Sequence, residues 1–227
     1  MFIPIHDDAP HRVIRVQWIT FAIIAINFAI FFYTASIGDD SLSVVAAGFG
    51  IVPGEITRAI TLDAALNPVP EPATLITYQF LHAGWMHIIG NMLFLWVLAD
   101  NVEDAFGHAG FPLFYLLTGI IGGLFHVAMQ PGSPHPLIGA SGAVSGVIAA
   151  YVVLYPRAKI WALFGLFIPI RLPAIAILGF WFLFQLWSLW QGIHGELEVA
   201  WWAHVGGFLG GLVLTVALRK RLLRSVA

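Results

Sequence analysis

Residues 138–155 read IGASGAVSGVIAAYVVLY. The stretch carries no charge and is close to the about 20 apolar residues that cross a bilayer. It opens with Gly139-Ala140-Ser141-Gly142. A serine among glycines in an apolar segment has two readings. It is a small residue in a helix-packing face, or it is a functional polar group kept in an apolar setting at a cost. The rest of the chain decides between them.

The 227 residues are 59% hydrophobic and only 10% charged, with a mean hydropathy of +0.88. Soluble domains average roughly 45–50% apolar and about 25% charged, so a soluble domain and a disordered chain are both excluded. No cysteine is present, which excludes a cysteine nucleophile, a thiolate metal site and a disulfide scaffold. A net charge of -2 gives no support for a nucleic-acid partner. The composition predicts a polytopic membrane protein.

Six spans are expected, over Trp18–Ile37, His82–Ala99, Gly110–Gln130, Ile138–Tyr155, Leu172–Gly192 and Val199–Leu218. The apolar stretch Ile160–Pro169 is too short to cross and reads as a loop dipping toward the bilayer. With six spans both termini share a side. That side holds Arg12, Arg15, Arg157, Lys159, Arg171, Arg219, Lys220, Arg221 and Arg224, and the other holds Arg58. The positive-inside rule then puts both termini in the cytoplasm. No cleavable signal peptide is read. Residues 1–17 form an N-terminal cytoplasmic segment, 18–218 the six-span domain and 219–227 a basic tail. Residues 38–80 form a long outer loop, and long loops inside compact domains are commonly functional.

Under this topology the polar residues of three spans share one depth. His82, His87 and Asn91 open the second span, Ser141 the fourth and His204 the sixth, all in the outer leaflet. Together they predict a polar cavity open to the outer face. Gly142 with Gly146, Gly206 with Gly210 and Gly207 with Gly211 are spaced for close helix packing. Packing of the fourth and sixth spans through these faces would bring Ser141 within reach of His204. Histidine is the usual base for a serine hydroxyl. No carboxylate shares that depth, because Asp100, Glu103 and Asp104 follow the inner end of the second span, and Glu196 and Glu198 lie in an outer loop. A two-residue pair is therefore expected in place of a triad. His87 and Asn91 share a helix face and can donate hydrogen bonds. With the Ser141 amide at a helix N-terminus, they supply donors for an oxyanion.

These motifs closely resemble the rhomboid family of intramembrane serine proteases. The match comprises Gly139-Ala140-Ser141-Gly142, Ala203-His204 followed by Gly206-Gly207, and His82 with His87 and Asn91, in order and across nearly the whole chain. The resemblance implies an all-α, six-helix bundle with an outward-open, water-filled cavity. It implies cleavage of single-span or other transmembrane proteins near the outer end of their helix. Ser141 is then the nucleophile and His204 the base. His87, Asn91 and the Ser141 amide hold the oxyanion, and His82, Gly139 and Gly142 support them. Glu103 is implied to anchor the first outer loop from below, and the fifth helix to form a lateral gate. The compact form resembles prokaryotic members, which implies an inner-membrane location. Ala73 and Thr74 stand where many members carry a Trp-Arg pair, Ser145 where an aromatic stacks on the base, and Ala105 where a basic residue follows the glutamate.

Neither a cofactor nor a metal is expected. A site built from His82, His87 and His126 lacks an acidic ligand and an HExxH pattern. Two further readings compete with the protease: a catalytically inactive relative that binds membrane proteins, and a small transporter using its histidines.

Overall fold

The computed structural model describes residues 2–63, 66, 68–165, 167–193 and 200–225. The architecture is mostly helical, with helices α1 (Trp18–Ser36), α2 (Asp39–Phe49), α3 (Pro53–Ile56), α4 (Glu71–Thr77), α5 (Trp85–Met129), α6 (Ser141–Leu154), α7 (Ala174–Ile193) and α8 (Trp201–Ser225). Four of these, α1, α5, α7 and α8, are long and apolar enough to cross a membrane, and α6 is a shorter apolar helix. Large apolar side chains such as Trp96, Leu113, Phe180, Val213 and Val216 lie on the outside. Apolar residues on every face are what an apolar solvent permits.

The second and third expected spans form one 45-residue run, α5, interrupted at Gly107. A straight helix of that length would reach roughly 67 Å, more than twice the hydrocarbon thickness of about 30 Å. Gly107 resolves the excess. Its φ of 77° and ψ of 159° are non-helical, a backbone state that glycine adopts without a Cβ penalty. The two arms then lie side by side. His87 on the first arm and Gly122 on the second both reach the start of α6.

α6 forms the centre, flanked by α5 and α8. Ala143, Val147, Ile148, Ala149, Ala150 and Tyr151 are fully buried there. The α6–α8 contact is made backbone to backbone. A Cβ on Gly207 would collide with the Gly142 carbonyl, and one on Gly211 would lie 2.6 Å from the Gly146 Cα. Gly206 and Gly210 face α5 instead, against Phe125 and Ile121.

The connection between α6 and α7 differs from expectation. Ile160–Pro169 is mostly strand rather than loop, and the chain is not purely helical. Strands β2 (Lys159–Phe164) and β3 (Ile168–Pro173) form a hairpin, and β1 (Phe2–Asp7) adds on the other side of β2 in an antiparallel sheet of order β1-β2-β3. The cause lies in the period. Ile160 and Ala162 point inward and are fully buried, while Lys159 and Trp161 are exposed, the two-residue alternation of a half-buried strand. Pro4, Pro169 and Pro173 fall on the two edge strands, where a missing N–H is tolerated. The fifth expected span consequently starts at Ala174, two residues after Leu172, and the second starts at Trp85, after His82. Val199, Glu196 and Glu198 lie outside the described residues.

The long segment after α1 is built from α2, α3, α4 and a 3-10 turn at Tyr78–Phe80. Ile51 pairs with Leu137, the Gly54 amide donates to Ser133 O at 2.9 Å, and the Tyr78 hydroxyl donates to Gly119 O at 2.6 Å. The first two contacts fasten the segment to the chain leading into Ser141, and the third ties it to the second arm of α5.

Candidate active site

Ser141 is the first residue of α6, where the opening turn leaves backbone amides without helical partners. The turn that delivers it passes through Gly139, whose φ is 128°. The Gly139 amide donates to Tyr78 O at 2.9 Å. Only glycine suits this position twice over, since a Cβ there would also lie 2.6 Å from the Nε2 of His87. His204 lies one turn into α8, three residues before Gly207 and so on the helix face that makes the Gly142–Gly207 contact. Its Nε2 is 2.8 Å from the Ser141 hydroxyl oxygen. Both residues are half-buried.

His87 is oriented by its other nitrogen. The Ala83 amide approaches Nδ1 at 3.5 Å, which leaves the proton on Nε2, beside Gly139 and Ser141. The His82 ring meets His87 edge to face at 5.0 Å. Asn91 follows one turn along the same face of α5. It is buried, and its Nδ2 has no hydrogen-bond partner. Gly142 packs against Tyr78 and α8. Ser141, His204, His87, Gly139 and His82 are thus gathered at one end of the bundle, with Asn91 a turn below.

Glu103 does not belong to this cluster. It lies roughly 24 Å further along α5 than His87. Nor, among the described residues, does it bond to the long outer segment. Its carboxylate accepts from the amides of Ile19 (3.2 Å) and Thr20 (2.7 Å), from the Thr20 hydroxyl (2.7 Å), and pairs with His108 at 2.5 Å. Gln17 makes no side-chain cap at the start of α1. Glu103 does that work from another helix, satisfying orphan amides with a negative charge at the helix's positive end.

Three residues around His204 carry no site role in the sequence reading. Gln185 of α7 places its Oε1 3.0 Å from His204 Nδ1. Trp201 meets the imidazole edge to face at 5.6 Å, and Trp181 lies at 6.3 Å. Trp201 precedes His204 by three residues, a spacing that puts both on one helix face. It supplies the aromatic contact that Ser145 cannot. Ser145 is buried and its hydroxyl donates back to Ser141 O at 2.6 Å, a bond internal to the helix. His126 is buried in α5. Among the described residues no three His, Cys, Asp or Glu side chains gather as a metal site would need.

The sequence model of the Rhomboid domain family matches residues 70–221, a range that contains every residue of this cluster. The chain belongs to the rhomboid family. It is 29% identical over 217 residues to the rhomboid protease GluP of Bacillus subtilis, covering 91% of this chain and 38% of that protein. It is 29% identical over 164 residues to RHOMBOID-like protein 12, mitochondrial, of Arabidopsis thaliana, covering 65% and 46%. It is 30% identical over 155 residues to Rhomboid-like protein 11, chloroplastic, of the same plant, covering 64% and 52%. The chain spans about half the length of these relatives or less. Membership in the rhomboid family and four helices of crossing length identify an integral membrane protein.

Proposed function

We propose that this rhomboid is an intramembrane serine endopeptidase acting through Ser141 and His204. The supporting observation is the 2.8 Å approach of His204 Nε2 to the Ser141 hydroxyl, between residues 63 positions apart. Ser141 Oγ attacks the scissile carbonyl carbon while Nε2 takes its proton. The resulting oxyanion is held by the Ser141 amide, His87 Nε2–H and the Asn91 amide group. His204 returns the proton to the departing amide nitrogen, the C–N bond breaks, and an ester on Ser141 remains. Water then attacks that ester with His204 again as base, releasing the carboxylic acid and restoring the hydroxyl. His82 supports His87 through ring packing, and Gly139 and Gly142 permit the close approaches.

The same reading takes α5 as two crossings divided at Gly107, which with α1, α6, α7 and α8 makes a six-span bundle over residues 18–218. Its polar cavity opens outward around Ser141, residues 38–80 form the outer loop, and residues 1–17 and 219–227 are cytoplasmic. The substrates are transmembrane segments of other proteins, cut near the outer face.

The reconstituted protein should label with a fluorophosphonate at Ser141. Ser141→Ala and His204→Ala should each lower cleavage of a transmembrane substrate by on the order of 10^4-fold or more, and a chelator should change nothing. Full activity in the Ser141→Ala protein would refute the mechanism. A properly folded wild-type chain that takes no label and cleaves nothing would instead support an inactive, protein-binding relative.

A further inference from the structure

We propose that Gln185 is a positioning residue for His204, the third member of a Ser141–His204–Gln185 relay; this rests on the protease reading above. Gln185 sits midway along α7, among mostly apolar side chains. It is 4% exposed, while its neighbours Leu183 and Trp187 are 63% and 55% exposed. A primary amide in an apolar interior is costly unless it is hydrogen-bonded, and the partner this one meets is the base itself.

The chemistry of that contact fixes a proton. An amide oxygen only accepts, so the 3.0 Å bond to Gln185 Oε1 requires the hydrogen of His204 on Nδ1. Nε2 is then left with its lone pair directed at the Ser141 hydroxyl, 2.8 Å away, the tautomer a general base needs. A reversed amide would donate to Nδ1 and force the proton onto Nε2, where it would block base catalysis. Bonds at both nitrogens, with Trp181 and Trp201 beside the ring, also hold the imidazole plane against rotation. In a triad a carboxylate does this work. A neutral amide does it in an apolar surrounding without burying a second charge. Gln185 belongs to α7, Ser141 to α6 and His204 to α8, so the relay is complete only while α7 lies against α8.

The test uses the full chain in lipid vesicles. Gln185→Leu removes the acceptor, and Gln185→Glu keeps an oxygen at that place. Gln185→Leu should lower kcat about 10- to 100-fold with KM little changed, and fluorophosphonate labelling of Ser141 should slow by a similar factor. Gln185→Glu should restore most of both rates. In histidine-15N spectra His204 should carry its proton on Nδ1 in the wild type and lose that preference in Gln185→Leu. Labelling of Gln185→Leu at the wild-type rate, a loss that glutamate does not rescue, or an Nε2-protonated wild type would each overturn the proposal. A wild-type chain without label would sink the protease reading instead. The 15N spectrum still decides the role of Gln185 in that case, because it needs no turnover.

Discussion

Asn91 is the residue whose cost and use are most easily separated. Its Nδ2 is buried without a partner, and an orphaned buried donor costs about 1–3 kcal/mol. A developing oxyanion would supply the missing acceptor. Asn91→Ala should therefore lower kcat by about 10^2–10^3-fold with KM nearly unchanged, while the melting temperature holds or rises. A fall in melting temperature without the kinetic loss would assign Asn91 to the core. The meeting of Ser141 and His204 was legible from glycine spacing and shared depth, because both are consequences of helix periodicity. Gln185 was not, although a polar residue within an apolar span carries the same warning. An orienting group is expected to be a carboxylate, and an amide in that role has no sequence signature of its own. The resemblance assigns Glu103 to the long outer segment, whereas its carboxylate bonds to the start of α1 and to His108, since sequence separation does not say which segment lies beside α5.

At the scale of elements, the distance between Ser141 and His204 is set by the α6–α8 contact. Gly142 and Gly207 touch through backbone atoms, and Gly146 and Gly211 repeat the contact one turn on. Gly207→Leu should push the helices apart and break the 2.8 Å hydrogen bond. Activity should be lost and labelling of Ser141 should fall by at least about 100-fold, with the helical circular dichroism retained. Retained labelling would show that the pair is held by something other than this seam. The helices themselves were legible in outline, since long apolar runs leave little choice in lipid. Their ends were less so. Val199 is beyond the described residues, and His82 and Leu172 lie just outside the helices they were expected to begin. Ile160–Pro169 does not read as strand from sequence, because a short apolar stretch reads equally as a loop element until its pairing is known. Of the two strands that flank β2, only β3 is adjacent in sequence, and Phe2–Asp7 is remote.

At the scale of the whole molecule, the sheet ties the amino end to the middle of the chain. Asp7 accepts a hydrogen bond from the Tyr151 hydroxyl of α6, and burial raises its pKa above the ordinary carboxylate value, offset in part by that bond. Neighbouring Asp8 is shifted the other way, first by the Lys159 amide (2.6 Å) and then by Arg171 (2.9 Å). The signs differ accordingly. A carboxyl with a raised folded pKa favours folding in its protonated form, and that contribution is lost as pH rises through the raised value. Asp8 contributes above its ordinary range and loses the contribution as pH falls. Asp7→Asn, which keeps an acceptor without a charge, should raise the melting temperature near neutrality relative to wild type. The difference should shrink on acidification toward about pH 4. An unchanged difference across that range would remove ionisation of Asp7 from the account. On the six-span reading proposed above, the pairing of residues 2–7 with 160–164 places both on one side of the membrane, with an even number of crossings between them. During synthesis the first strand leaves the ribosome long before its mate exists, and it waits through every intervening insertion with its hydrogen-bonding edge unfilled. A fusion tag or truncation ahead of Asp7 is therefore a change to the assembly of this loop-and-strand clasp, and its effect should surface late in biogenesis, after α6 and β2 have been released.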